Sequence, residues 1–366
     1  MTRKVLIVYP ILHHYRRGVF RALDNDPRLK VTYASAIGGH DGIAGMDVKE
    51  ISRHVALVTH RLGRLRWQSG LVSHLIRSRY DDVVFLGDPS FLSTWLGAGV
   101  ARIRGFGVYF WTIGWHRPES GAKRLLRVTF YLLADVLMLY GSTAVTIGRL
   151  MGYPARRMRV IGNSVASPSK FGERGGLALP EREEGDVWLG AVVRLNAVKK
   201  LDLLVRAAAI LRQQGTNTSV LIVGEGPMRS SLIALAKQLE VPLHLPGGAY
   251  DESALSSFYE RVSITVVPSA VGLTAIQSLN AGVPVISDDS IYEQMPEWES
   301  IVQGVTGATY AAGDVQALVE AIRRVLSLIA RNRDEVSLAC RAEVAKRWSA
   351  DAHAQRIIKV LEEHDR

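Results

Sequence analysis

Cysteine is almost missing from this chain. Cys340 is the only one in 366 residues, so no intramolecular disulfide can form and a cysteine-based zinc site is excluded, which fits a reducing compartment. Apolar runs long enough to span a bilayer are also lacking. The first run, VLIVYPIL, is short, is broken by Pro10 and has no small-residue cleavage site after it, so it reads as a buried strand rather than an export signal. There is no tandem repeat, no low-complexity tract, no zinc spacing and no RNP-like aromatic motif. The last two absences argue against nucleic acid as a partner, although the net charge is +10.

Acidic residues are scarce in one half only. Residues 1–165 carry 24 Lys and Arg against 10 Asp and Glu, a balance of +14, while the remainder has 21 against 25, or −4. Arg53, Arg61, Arg64, Arg66, Arg77 and Arg79 are interleaved with Leu62, Leu65, Trp67, Leu71, Leu75 and Ile76. That pattern suits a basic amphipathic segment on an anionic bilayer surface, or a solvated helix face.

With 48% hydrophobic and 22% charged residues, the length suggests two domains. The first half alternates buried-type strands with helical stretches: VLIVYPI, GVFRALDN, VTYASA, a basic helical stretch near Trp67 to Arg79, VVFLG, FLSTWLGAGVARIRG, VYFWTIG, a helix through RLLRVTFYLLADVLMLYG, then MRVIGNSV. Residues 167–186 are rich in Gly, Pro and charge and read as the interdomain linker. From VWLGAVV the rhythm starts again. The expected class is α/β, with two Rossmann-like doubly wound domains whose strand ends meet at one cleft. The domain bounds expected are 1–166 and 187–348, with 349–366 a C-terminal helix that crosses back to the first domain.

SITVVPSAVGLTAIQSLNAGVPVISDD, from Ser263 to Asp289, reads strand, loop, helix, strand. Such a unit turns the first free N–H groups of its helix, near Gly272, Leu273 and Thr274, toward a ligand, and the positive end of the helix dipole suits a diphosphate. An ordinary scaffold helix between two parallel strands gives the same pattern.

Four segments in order resemble the retaining glycosyltransferases of the two-Rossmann (GT-B) type, in particular glycosyltransferase family 4. They are VRLNAVKKLDLLVRAAAIL, LIVGEGPMRSSL, VPSAVGLTAIQSLNAGVPVIS and ESIVQGVTGATYAAGD. The resemblance implies that Arg194 and Lys199 face the donor phosphates and act in catalysis. It also implies that Gly224, Gly272, Leu273, Thr274 and Glu299 line the donor site. Family members carry two glutamates eight positions apart; the matching positions here hold Ser269 and Gln277. Gln277 can still hydrogen-bond a ribose through its amide, and Glu297 or Glu299 could supply a carboxylate. In the first half, HHYRRGVFRAL resembles the start of many such enzymes, with His13, His14 and Arg16 on the acceptor side. WTIGWHRP resembles a turn in which Ile113 stands at the family's histidine position, with His116 three residues on.

The resemblance implies transfer of a hexose from a nucleoside-diphosphate sugar to a lipid-linked glycan or glycolipid, with no cofactor and no metal. It further implies residence in the cytoplasm, at the inner face of the plasma membrane, where the basic first domain would meet anionic lipid. A nucleotide-sugar-binding partner without catalysis and a nucleotide-sugar epimerase of the same shape stay open as alternatives.

Overall fold

The computed structural model describes residues 2–39, 45–165, 177, 179, 185–248 and 252–363. The chain forms two compact units, Met1–Ala166 together with Ser349–Arg366, and Ser167–Trp348. Most of the expected linker, 167–186, lies outside the described residues.

Unit 1 begins with β1 (Arg3–Ile11), α1 (Arg17–Asp24), β2 (Leu29–Ala36) and β3 (His54–Ala56). A hairpin of β4 (Val58–Leu62) and β5 (Leu65–Ser69) follows, then α2 (Leu71–Arg77), β6 (Asp82–Leu86), α3 (Leu92–Ile103) and β7 (Gly107–Thr112). The unit continues with α4 (Gly121–Tyr131), β8 (Val136–Leu139), α5 (Ser142–Leu150) and β9 (Met158–Val160). Seven of these strands make one parallel sheet, ordered β3-β2-β1-β6-β7-β8-β9. The order reverses between β1 and β6, which is the mark of a doubly wound sheet.

Two local readings need correction. The stretch expected to be helical from Trp67 to Arg79 has Trp67 in β5, and its helix starts only at Leu71. Antiparallel pairing of Leu62 with Leu65 around Gly63, whose φ is +59°, closes a two-residue turn. The helix expected through residues 124–141 stops at Tyr131. Val136–Leu139 is a fully buried strand between β7 and β9, and four apolar residues in a row are as compatible with that as with a helix.

Unit 2 contains β10 (Val187–Val192), α6 (Leu201–Gln213), β11 (Thr218–Val223), α7 (Arg229–Gln238) and β12 (Leu243–Gly247). Next come α8 (Glu252–Arg261), β13 (Ile264–Val267), α9 (Leu273–Asn280), β14 (Val285–Asp288), β15 (Gly307–Tyr310), α10 (Val315–Arg331) and α11 (Arg333–Glu343). Its sheet runs β12-β11-β10-β13-β14-β15, with its reversal between β10 and β13.

The last helix, α12 (Ala350–Glu362), belongs to unit 1. Ser349 caps it by accepting from the Ala352 amide (3.1 Å). Its Ala354, Ile357, Ile358, Val360 and Leu361 complete the core face formed by Val5, Ile7, Phe20, Tyr33, Trp111 and Met138. Against α1 the approach is so close that a Cβ on Gly18 would lie 2.8 Å from the Ala350 Cβ.

Candidate active site

Ligands of open α/β sheets bind beyond the carboxyl ends of the strands, where the strand order reverses. In unit 2 that point lies between β10 and β13, so the segments leaving these two strands flank it. They are residues 193–199 and 268–277, which contain Arg194, Lys199, Ser269, Gly272, Leu273, Thr274 and Gln277.

The two segments are tied together. Thr274 Oγ1 donates to the Val192 carbonyl (2.9 Å), and Lys199 Nζ donates to the Ala270 carbonyl. Lys199 is half-buried, and its burial holds its ammonium below the ordinary lysine range. Arg194 is exposed, with no protein partner for its guanidinium among the described residues. The first amides of α9 lack intrahelical acceptors, as at any helix start. Ala275 is the first whose N–H is satisfied within the turn, by the Gly272 carbonyl at 2.9 Å.

The loop ahead of α9 is pinned from beneath by one buried side chain, Gln294. Its Oε1 accepts from the Val271 amide (2.9 Å). Its Nε2 reaches Asp288 Oδ1 (2.7 Å), the Asp288 carbonyl (2.9 Å) and Ser287 Oγ (3.0 Å). Ser287 Oγ in turn donates toward the Ser269 carbonyl (2.8 Å), and Tyr310 Oη donates to that of Pro268 (3.0 Å). Asp288 is fully buried, and Lys200 Nζ stands 3.7 Å from its other carboxylate oxygen.

Ser269 is buried, and its Oγ has no hydrogen-bond partner among the described residues. Gln277 is half-buried on the second turn of α9. Glu297 is buried and Glu299 half-buried in the 3-10 segment Pro296–Ser300.

Two glycines are needed for backbone packing. A Cβ on Gly224 would lie 1.9 Å from the Val193 carbonyl oxygen, and φ is +153° there. Gly224 therefore lets β11 turn tightly under the residue before Arg194, and Gly226 does the same against Leu195. Gly272, by contrast, has ordinary room, with Met295 Cγ 3.7 Å from an added Cβ.

In unit 1 the acceptor-side residues separate. His13 stacks on Tyr15 at 5.1 Å and His14 meets the same ring edge-on, just beyond β1. His116 keeps solvent access; partial burial, then the charges of Arg127 and Arg117, hold its imidazole below the usual histidine range. Arg16 is enclosed rather than displayed. It is 5% exposed, donates to Tyr140 Oη (2.8 Å) and lies 5.0–5.8 Å from the ring centres of Tyr140, Trp111, Tyr15 and Tyr9. Cation–π contact with four rings is an environment that favours a guanidinium. His353 lies beside this group, its ring edge-on to Trp111 and Nδ1 3.0 Å from Ser164 Oγ.

Residues 180–336 match the family model described as glycosyl transferases group 1. Among curated proteins, the chain is 27% identical over 223 residues to the amylovoran biosynthesis glycosyltransferase AmsK of Erwinia amylovora, covering 58% of this chain and 52% of that protein. It is 26% identical over 145 residues to a GDP-mannose-dependent alpha-(1-6)-phosphatidylinositol dimannoside mannosyltransferase of Mycobacterium tuberculosis, covering 38% and 35%. The chain thus spans about half or less of the length of these curated relatives.

Among solved structures, it superposes on the lipopolysaccharide outer core galactosyltransferase WaaB with a TM-score of 0.71 at 16% identity, covering 98% of this chain and 99% of that one. On Anabaena Alr3699/HepE in complex with UDP the TM-score is 0.72 at 14% identity, covering 99% and 100%. The fold is therefore GT-B, two Rossmann-like domains.

The group 1 segment contains β10 to α10 and every donor-side residue named from the sequence. Sequence reasoning missed Gln294 and Asp288, which hold the loop at its centre. Asp314, the last residue of the matching segment ESIVQGVTGATYAAGD, caps α10, its carboxylate accepting from the Gln316 and Ala317 amides (2.8 and 3.0 Å). An Asp followed by VQALVEAIRRVL is the signal that would have shown the cap.

Proposed function

We propose that this chain is a retaining glycosyltransferase that moves a hexose from a nucleoside-diphosphate sugar to a lipid-linked glycan or glycolipid at an anionic membrane surface. The observation that carries the proposal is the pairing at the switch point of unit 2. Arg194 and Lys199 leave one strand, the N-terminus of α9 leaves the next, and the Thr274 and Lys199 hydrogen bonds join the two.

When the bond between the sugar carbon and the diphosphate breaks, negative charge collects on the leaving phosphate. Arg194 offers it a planar fork, Lys199 a point charge with its hydration already reduced, and α9 its free amides. On this reading the charge is met without a metal ion. Gln277 accepts and donates at the ribose, and Ser269 Oγ is a spare hydrogen-bonding group near the sugar. Glu299 closes the nucleotide side. His13, His14 and His116 are the acceptor-side candidates.

Retention and the lipid-linked acceptor follow from the family resemblance, and the basic first half supports the membrane surface. The HepE structures hold UDP and UDP-glucose, and the mycobacterial relative is GDP-mannose-dependent. Uridine and guanosine nucleotides are therefore the first donors to try. Thermal-shift screening of nucleoside diphosphates and their sugars, followed by transfer assays with and without chelator, tests the proposal. Arg194→Ala with Lys199→Ala should abolish diphosphate stabilisation and lower turnover at least a hundredfold; unchanged donor affinity and turnover would refute the site. Turnover should survive the chelator.

The replacement of both family glutamates by Ser269 and Gln277 favours a second reading, a nucleotide-sugar binder without catalysis. Donor stabilisation with neither transfer nor donor hydrolysis would establish it. Conversion of the sugar with no acceptor present would point instead to an epimerase.

A further inference from the structure

The β4–β5 hairpin has its apolar side outward. In an antiparallel pair, residues directly opposite share a face. Leu62 pairs with Leu65, His60 with Trp67 and Val58 with Ser69, so Val58, Leu62, Leu65 and Trp67 lie together on one face. All four are exposed, Leu62 to 82% and Val58 to 60%.

The opposite face holds the hairpin to the body of unit 1. Buried Gln68 donates from Nε2 to the Tyr9 carbonyl (2.9 Å) and from its amide to Ser93 Oγ (3.1 Å). Arg66 lies over the Phe91 ring, and its amide donates to the Ser90 carbonyl (2.8 Å). A hairpin ordinarily buries its apolar face and shows its polar one; here the polar side is anchored and the apolar side is left to solvent.

We infer that this hairpin is a membrane-docking element that places Leu62, Leu65 and Trp67 in the interfacial layer of an anionic bilayer. The inference rests on the membrane part of the proposed function and assigns it to specific residues. The charge pattern selects the occupant. Residues 51–80 contain six arginines and no Asp or Glu, so a surface bearing anionic headgroups is attracted along the whole segment. Arg64 sits in the turn beside Leu62 and Leu65, where its long stem can bury while its guanidinium stays among phosphates. Trp67 and the leucines suit the headgroup boundary. Two five-residue strands present a patch far smaller than the roughly 800 Å² per partner of a stable protein interface, which disfavours a second copy of the chain as occupant.

The whole chain allows a direct test, because Cys340, the one cysteine in its 366 residues, is buried. A Leu62→Cys variant carrying an environment-sensitive fluorophore should shift to the blue and brighten when mixed with phosphatidylcholine vesicles containing phosphatidylglycerol. It should change little with phosphatidylcholine alone, and a label at exposed Lys30 should not respond. In flotation, Leu62→Ser with Leu65→Ser should weaken vesicle binding at least about tenfold, and Arg64→Gln should weaken it more at low salt than at high salt.

Wild type and double variant floating equally, with a silent label at 62, would overturn the hairpin assignment and leave the membrane reading standing. Failure of the wild type to bind anionic vesicles at low salt would remove both. A label that shifts without lipid, together with dimers in sedimentation, would assign the face to a second copy and overturn the inference.

Discussion

Replacing Gln294 with leucine keeps the volume of the side chain and removes its amide, which isolates what the hydrogen bonds contribute. The Val271 N–H, buried beneath the loop, then has no acceptor, at a cost of about 1–3 kcal/mol. Asp288 Oδ1 loses its 2.7 Å donor and keeps only the Ser290 amide at 3.2 Å, a loss of about 1.5–3 kcal/mol for a bond to a charged group. The two effects together put the destabilisation of unit 2 near 4 kcal/mol, equivalent to a fall in Tm of roughly 8–15 °C for a domain of this size. Because Val271 and Ser269 lie in the loop that leads into α9, donor binding should weaken along with stability. Calorimetry with and without a nucleoside diphosphate measures both. Gln294→Glu is the sharper variant, since it keeps the shape but sets a second carboxylate against buried Asp288, and it should be at least as destabilising. A Gln294→Leu protein that melts within about 2 °C of wild type and binds donor equally well would refute the claim that this side chain holds the loop.

Other perturbations probe the rest of the molecule. Burial, then Arg16 and Arg356, hold the His353 imidazole well below its ordinary range, so the folded state resists a proton that the unfolded chain takes up below about pH 6.5. Stability from this site is therefore complete above that pH and falls as pH drops, by at most about 1.4 kcal/mol per unit; denaturation curves of His353→Gln should be flatter between pH 7.5 and 5.5 than those of wild type, and parallel curves would exclude the effect. Gly18→Ala should lower stability by about 1–3 kcal/mol in urea melts, because the added methyl meets Ala350 across two packed helices. Ser269→Ala should leave the melting temperature unchanged, since its Oγ has no partner to lose among the described residues; on the proposed reading it should raise the KM for the donor, and an unaltered KM would remove Ser269 from the site.

What could be read in the sequence was whatever depends on short range. The β13–α9–β14 unit was legible because Pro268 and Gly282 punctuate two β-branched runs, and the doubly wound order followed from strands and helices in alternation. Where pattern was ambiguous the reading slipped. VLML follows a helix without a break in hydrophobicity, so only its place between β7 and β9 makes it a strand. The arginine-rich stretch has leucines compatible with helical spacing, yet Gly63 turns it into a hairpin. The central role of Gln294 was invisible, because a lone glutamine many residues downstream gains its partners only when β13 and β14 pair. The enclosure of Arg16 was not legible for a related reason: arginine is an exposed residue by habit, and its enclosure needs four rings drawn from β1, from the turn after it, from β7 and from the end of β8.

The return of α12 to unit 1 also bears on how the chain is made. The sheet of unit 1 leaves the ribosome first, but the side chains that seal Val5, Ile7, Phe20 and Trp111 from water come from Ala354, Ile357, Ile358 and Leu361. All of unit 2 is synthesised before them. A chain released near Trp348 would therefore carry every residue of the second unit, tethered to a first unit with one face still uncovered. Surveillance by chaperones and proteases would fall on the first-made half of the molecule, and premature stops late in the message would show themselves there.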